Sequence, residues 1–166
     1  LRQAGYRTAL VGKWHLGTVP ELRATRHGFD EWFGIPYSND NSKFHPVLAA
    51  EMPKLPLHDG DHVVELDPDQ SHFTQRFTER AIAFIEQHRD QPWFVYLSYN
   101  AVHGSPDGRR RLVPVDAGKY ADRFPNIQSE QRRLFAGMLS ALDDGVGTVL
   151  AKLRELQLEE NTLIFF

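Results

Sequence analysis

Trp93-Phe94-Val95-Tyr96-Leu97 is an unbroken apolar run in which four of the five residues are aromatic or β-branched. A run of this kind suits a strand covered on both faces, as in a parallel sheet, better than one with a wet face. Working outward, Thr8-Ala9-Leu10-Val11 has the same strand character upstream, and Leu163-Ile164-Phe165-Phe166 repeats it downstream. Two helical patterns lie between them. Over 72–89, Phe73, Phe77, Ala81, Phe84 and Ile85 fall on a single apolar stripe, with Ser71 placed to cap the start. Over 129–157, Leu134, Met138, Leu142, Val146, Val149, Leu150, Leu153 and Leu156 form a longer stripe, and Ser129-Glu130 suits a helix start. Strand, helix, strand, helix, strand predicts an α/β fold with a largely parallel mixed sheet flanked by helices.

Composition narrows the function classes. The 166 residues are 41% hydrophobic and 25% charged, enough apolar surface for one packed domain. A net charge of -3 gives no global positive field for nucleic acid, and no uninterrupted apolar run approaches the ~18 residues of a membrane span. Neither a nucleic-acid partner nor a membrane span is expected. With no cysteine, disulfides and thiolate metal sites are excluded within these residues. Two stretches have loop character: 17–70, with six of the ten prolines, and 100–128. Loops of that length inside one domain point to a site. Leu1 to Gly5 reads as the end of a helix already under way, and the chain stops on an apolar run. The expectation is one domain, 1–166, truncated at both ends.

The chemistry concentrates in Gly5-Tyr6-Arg7-Thr8-Ala9-Leu10-Val11-Gly12-Lys13-Trp14-His15-Leu16-Gly17. If the backbone stays extended past Gly12, Lys13 and His15 share a face, roughly 6.5–7 Å apart, and Trp14 turns into the core. An ammonium beside an imidazole makes a pocket for a tetrahedral oxyanion, and such groups gather at the carboxyl ends of strands in open α/β sheets. A surface lysine beside a structural histidine is the plainer alternative. Spacing alone leaves both open.

The same run resembles the Gly-Lys-Trp-His-x-Gly signature of the sulfatase family, within the alkaline phosphatase-like superfamily. Three further blocks are similar to arylsulfatase-like members in order and spacing: His27 to Ser38, Trp93 to His103, and Ala141 to Thr162. The resemblance implies hydrolysis of sulfate esters by a formylglycine nucleophile beside calcium, and makes 1–166 the central part of the catalytic domain. The formylglycine and the calcium ligands would lie outside these residues, since no Cys/Ser-x-Pro-x-Arg motif is present. It further implies that Lys13 contacts the sulfate oxygens, that His15 is the base that expels sulfate, that His103 contacts sulfate near the bridging oxygen and helps protonate the departing alcohol, and that Ser38 touches substrate. No metal ligand is assigned within the chain. The implied substrate is a sulfated small molecule or saccharide, and the implied location periplasmic or secreted. A phosphodiesterase or phosphonate hydrolase of the same superfamily, or a non-catalytic anion- or glycan-binding relative, is the competing reading.

The sequence departs from the family pattern at Val102, where proline is common, and at Gly104-Ser105-Pro106. Other polar groups carry plainer readings. His58 and His62 have metal-ligand spacing, but Asp59-Gly60-Asp61 between them favours a turn. Arg109-Arg110-Arg111 suits either an anionic saccharide or solvent. Asp143 and Asp144 read as structural, and Asp40 and Asn41 as pocket-lining or exposed. Because nucleophile and metal ligands are expected elsewhere, this polypeptide by itself should release no sulfate from an aryl sulfate. A purified sample turning over above buffer background would refute that.

Overall fold

The computed structural model describes residues 1–45, 47–103 and 117–166. Its strands are β1 (Arg7–Gly12), β2 (Glu31–Gly34), β3 (Pro56–Asp59), β4 (His62–Leu66) and β5 (Trp93–Ser98), and its helices α1 (Phe73–Gln87), α2 (Ala117–Ala121) and α3 (Glu130–Glu155). The strands form one sheet in the order β4-β3-β2-β1-β5. β1 pairs in parallel with β2 on one side and β5 on the other, while β2-β3 and β3-β4 are antiparallel. The sheet is therefore mixed, with its parallel part centred on β1.

The period of two along β1 divides the core. Ala9 and Val11 join Phe73, Phe77, Phe84 and Met138 on the helix-covered face. Leu10 joins Trp14, Ala24 and Trp32 on the other. The first face is the stripe read from the sequence over 72–89, set down on the sheet; stacked Phe73 and Phe77 rings, 5.3 Å between centroids, lie along it.

Several expectations need correction. β5 is not covered on both faces: the helices pack on one face, and on the other Phe94 and Tyr96 stay 37% and 51% exposed, with only Phe29 of the 20–29 segment reaching Phe94, at 6.3 Å between ring centroids. Leu163 to Phe166 is no strand; the run is exposed, and without a neighbour to complete its ladder an extended segment gains nothing from pairing. Residues 17–70 are not one loop, since β2, β3 and β4 lie within them. These strands are only four or five residues long and interrupted by polar residues, which hid them from an apolar-run reading. Ser71 does not cap α1; Asp69 accepts from the Ser71 N–H at 2.9 Å, capping the short 3₁₀ turn that leads into it. Ser129 does cap α3, accepting from the Arg132 N–H. α3 is long and apolar enough to cross a membrane by length and composition. Its Asp143 and Asp144 fall mid-helix, however, where a bilayer penalises charge. Asp144 pairs with Arg123 at 2.8 Å, and Met138 and Leu153 are buried in the domain.

Two features bring the strand ends together. The first is space: a Cβ on Gly34 would stand 1.7 Å from the Gly12 carbonyl oxygen, and one on Gly12, at φ 118°, would stand 2.0 Å from the Ser98 oxygen. Only glycine admits that approach. The second is a buried polar tie between the segments that follow β2 and β5. Asn100 Nδ2 donates to Asn39 Oδ1 at 2.7 Å, Asn39 Nδ2 to Gln70 Oε1 at 2.9 Å, and Gln70 Nε2 to the Asn39 carbonyl at 3.0 Å. All three residues are buried, so each bond lost leaves an orphan.

Gly34→Ala should destabilise the domain by about 3 kcal/mol, since backbone rather than a flexible side chain must give way. Asn39→Ala should cost about 2–4 kcal/mol by stranding the Asn100 donor and the Gln70 acceptor. Denaturant unfolding of each variant measures both, and losses under 1 kcal/mol would contradict these accounts.

Candidate active site

The chain leaving β1 is held on both sides by backbone. Lys13 N–H donates to the Ser98 carbonyl at 2.9 Å, Ser98 Oγ donates back to the Lys13 carbonyl at 2.6 Å, and the N–H groups of Trp14 and His15 donate to Ile35 and Pro36 at 3.0 Å each. Residues 13–15 thus run between the carboxyl end of β5 and that of β2. Trp14 is buried as the sequence suggests, its indole N–H donating to the Leu22 carbonyl at 2.7 Å. The backbone does not stay extended, however: His15 has φ 64°, in the left-handed region, so the shared-face argument for Lys13 and His15 fails at His15. Gly17 then turns the chain against Leu22. Among the described residues no ion pair neutralises Lys13 and no hydrogen bond engages the exposed His15 imidazole.

The segment after β2 brings Ser38, Asn39 and Asp40, all buried, to the same end of the sheet. The segment after β5 brings Asn100 and His103, the His103 N–H donating to the Asn100 carbonyl at 2.8 Å. Their meeting is direct: Ser38 Oγ lies 2.9 Å from His103 Nε2. Asp40 Oδ1 stands 3.5 Å from that nitrogen. This oxygen is sealed from solvent and makes no well-formed hydrogen bond. Burial pushes the Asp40 carboxyl up. The hydrogen bond from Ser38 and the neighbouring His103 charge outweigh that and hold it below the usual carboxylate range.

The structure therefore joins Ser38 and His103 by contact and sets Lys13 and His15 on the adjoining strand end. Asp40, left open between pocket and solvent by the sequence, is part of this cluster. Asn39, Gln70 and Asn100 beneath it were missed; one signal was the polar run from Ser38 to Lys43, a few residues past β2. Asn41 is half-buried and donates its N–H to the Ser38 carbonyl. His58 and His62 make no metal site: they lie on paired strands β3 and β4 across the Gly60 turn, His58 stacked on Trp32 at 4.6 Å and His62 exposed. His45 Nδ1 accepts from the N–H groups of Val47 and Leu48, an ordinary turn role. Gly104 to Pro106 and Arg109 to Arg111 lie outside the described residues. Among the described residues no three His, Asp or Glu side chains gather to hold a metal ion.

Known proteins carry the same arrangement of sequence. The sulfatase family model matches residues 1–166. The chain is 33% identical over 176 residues to human N-acetylgalactosamine-6-sulfatase, covering all of this chain and 30% of that protein. It is 30% identical over 190 residues to rat arylsulfatase G, covering all of this chain and 33% of that protein. The chain thus spans about a third of the length of these relatives. Among solved structures, Ps i-CgsB superposes with a TM-score of 0.68 at 28% identity, over 96% of this chain and 36% of that one. PsFucS1 sulfatase from Pseudoalteromonas sp. gives 0.74 at 22% identity, over 97% and 34%, a likeness of fold. With the strand order, the clustered strand ends and the full-length match in agreement, the chain belongs to the sulfatase family.

Proposed function

We propose that the full-length protein hydrolyses sulfate esters carried on saccharides, and that this chain supplies the anion-binding wall of its active site. The observation that carries the reading is the 2.9 Å contact of Ser38 Oγ with His103 Nε2. It sits at the carboxyl ends of parallel strands whose central member delivers Lys13 and His15. An oxyanion that reaches one of Ser38 and His103 reaches the other.

The roles follow from the chemistry of each group. The Lys13 ammonium, a three-donor cation, offsets charge gathering on the non-bridging sulfuryl oxygens. The His15 imidazole, on the exposed turn after β1, accepts and returns a proton near neutral pH. His103 and Ser38 meet the ester at its bridging side, where the alcohol leaves. Formylglycine and calcium are family features that other sequence would supply, and no step through them is assigned to these residues.

A saccharide substrate is favoured by the relatives. One is by name an N-acetylgalactosamine-6-sulfatase, and Ps i-CgsB has been crystallised with a neocarrahexaose. Action in the periplasm or outside the cell is part of the same reading, since polymeric sulfated saccharides are met there.

The full-length protein should release sulfate from a 6-sulfated N-acetylgalactosamine oligosaccharide and from an aryl sulfate, and act far more slowly on the matching aryl phosphate. Lys13→Ala should lower kcat/KM on sulfate by about 100- to 1,000-fold. Phosphate hydrolysis at an equal or higher rate, or a fully active Lys13→Ala variant, would overturn the reading.

A further inference from the structure

With no hydrogen bond on its imidazole among the described residues, His15 has its ring placed by the backbone alone. That backbone stands at φ 64°, a conformation disfavoured for a residue with a Cβ, so neighbouring contacts must hold it there. We propose that Trp14 is the positioning residue for His15: its indole N–H, donating to the Leu22 carbonyl at 2.7 Å, closes residues 15–21 into a tight loop and keeps His15 left-handed. The proposal rests on the reading above, in which His15 accepts and returns a proton.

Both ends of the loop are pinned. At its start, the N–H groups of Trp14 and His15 donate to the carbonyls of Ile35 and Pro36, so the chain is fixed as far as the His15 nitrogen. Residues 16–18 then make no hydrogen bond among the described residues, and the next fixed point is Leu22. The buried indole reaches its carbonyl, and Gly17 lies so close to its side chain that a Cβ there would stand 2.3 Å from the Leu22 Cβ. Leu22 is held in turn by its N–H on the Val19 carbonyl at 3.0 Å and by the fully buried Ala24 two residues on. The indole is wedged against Phe29, edge to face at 6.0 Å, and His27 at 5.7 Å. A chain that leaves Pro36 at residue 15 and returns to the indole of residue 14 at residue 22 must reverse at once. It does so at His15 and Gly17, with φ 64° and 148°. Gly17 turns without steric cost; His15, with its Cβ, does not.

The consequence is a division between binding and proton transfer. Lys13 lies ahead of the loop and is fixed independently, its N–H on the Ser98 carbonyl and its own carbonyl accepting from Ser98 Oγ. Losing the indole N–H therefore leaves the ammonium in place. It frees His15 to relax toward extended backbone, which swings the imidazole toward the face of Lys13. A displacement of about 1 Å is enough to slow a positioned group's step by about 100-fold. Phenylalanine at position 14 keeps an aromatic ring against Phe29 and removes only the donor.

Variants of the full-length protein test this, with sulfate release from nitrophenyl sulfate as the assay. Trp14→Phe should lower kcat by about 10- to 100-fold with KM within about twofold. Added to His15→Ala, it should cost no more than about a further twofold, because both changes remove one effect. Unchanged kcat in Trp14→Phe, a change in KM alone, or losses that multiply in the double variant would each overturn the proposal. A fully active His15→Ala would instead sink the underlying assignment of His15. Two measurements stand apart from activity. His15→Gly should melt about 1–2 °C above His15→Ala, since glycine takes the left-handed conformation freely. An equal or lower melting temperature would overturn the proposal, and this comparison needs no change at Trp14. A crystal structure of Trp14→Phe should show His15 out of the left-handed region with Lys13 where it was; an unmoved His15 would overturn the proposal.

Discussion

Backbone touching backbone at Gly12, Gly34 and Ser98 is the constraint on which the site depends. β1 can hold β2 and β5 as parallel neighbours only because no side chain intervenes where the three strands finish. Parallel pairing gives the strands a common direction, so their exits emerge at one end of the sheet. The segment after Gly12 is then laced to both neighbours by main-chain hydrogen bonds rather than by side chains. Side chains on residues 13 and 15 are thereby free for chemistry, while the one between them, Trp14, anchors the turn in the core.

The division of labour has an electrostatic logic. Cationic or imidazole groups that are to meet one anion repel or desolvate one another if packed without support. Here they are divided between two strand exits, those of β1 and β5, and the acidic partner, Asp40, is buried on a third, that of β2. Rigidity comes from beneath, where a neutral amide layer of Asn39, Gln70 and Asn100 joins the exits without adding charge. Preorganised donors of this kind lose little on binding and need not rearrange as charge develops.

How much of this could be read from the sequence varied with the range of the interactions involved. α1 and α3 were legible because their apolar period is local and strong, and β1 and β5 because each is a short apolar run, even though only β1 is buried along its length. β2, β3 and β4 were hidden: Glu31 and His62 are exposed or half-exposed positions on strands only four or five residues long, and their place in the sheet is decided by neighbours distant in the chain. The final apolar run read as a strand for the same reason that β5 did. Composition reports a willingness to pair and says nothing of whether a partner stands alongside. At the candidate site, Lys13, His15, Ser38 and His103 were named through motif resemblance, whereas the left-handed turn at His15 was not foreseen, since no glycine or asparagine marks it. Asn39, Gln70 and Asn100 were invisible because a buried amide and a solvated one are the same letter.

The serine and histidine that meet at 2.9 Å are 65 residues apart in the chain. Between them lie the antiparallel β3-β4 pair and α1, formed by nearer contacts that can assemble first. β5 reaches β1 only when that whole excursion closes, and the entropy of closure is lost before any contact returns it. The meeting of Ser38 and His103 is thus a late product of folding, absent from any intermediate in which β5 has yet to dock. Fluctuations that lift β5 from β1 would unmake it in one step, so protection of the β5 amides from hydrogen exchange is also a measure of how long the contact persists.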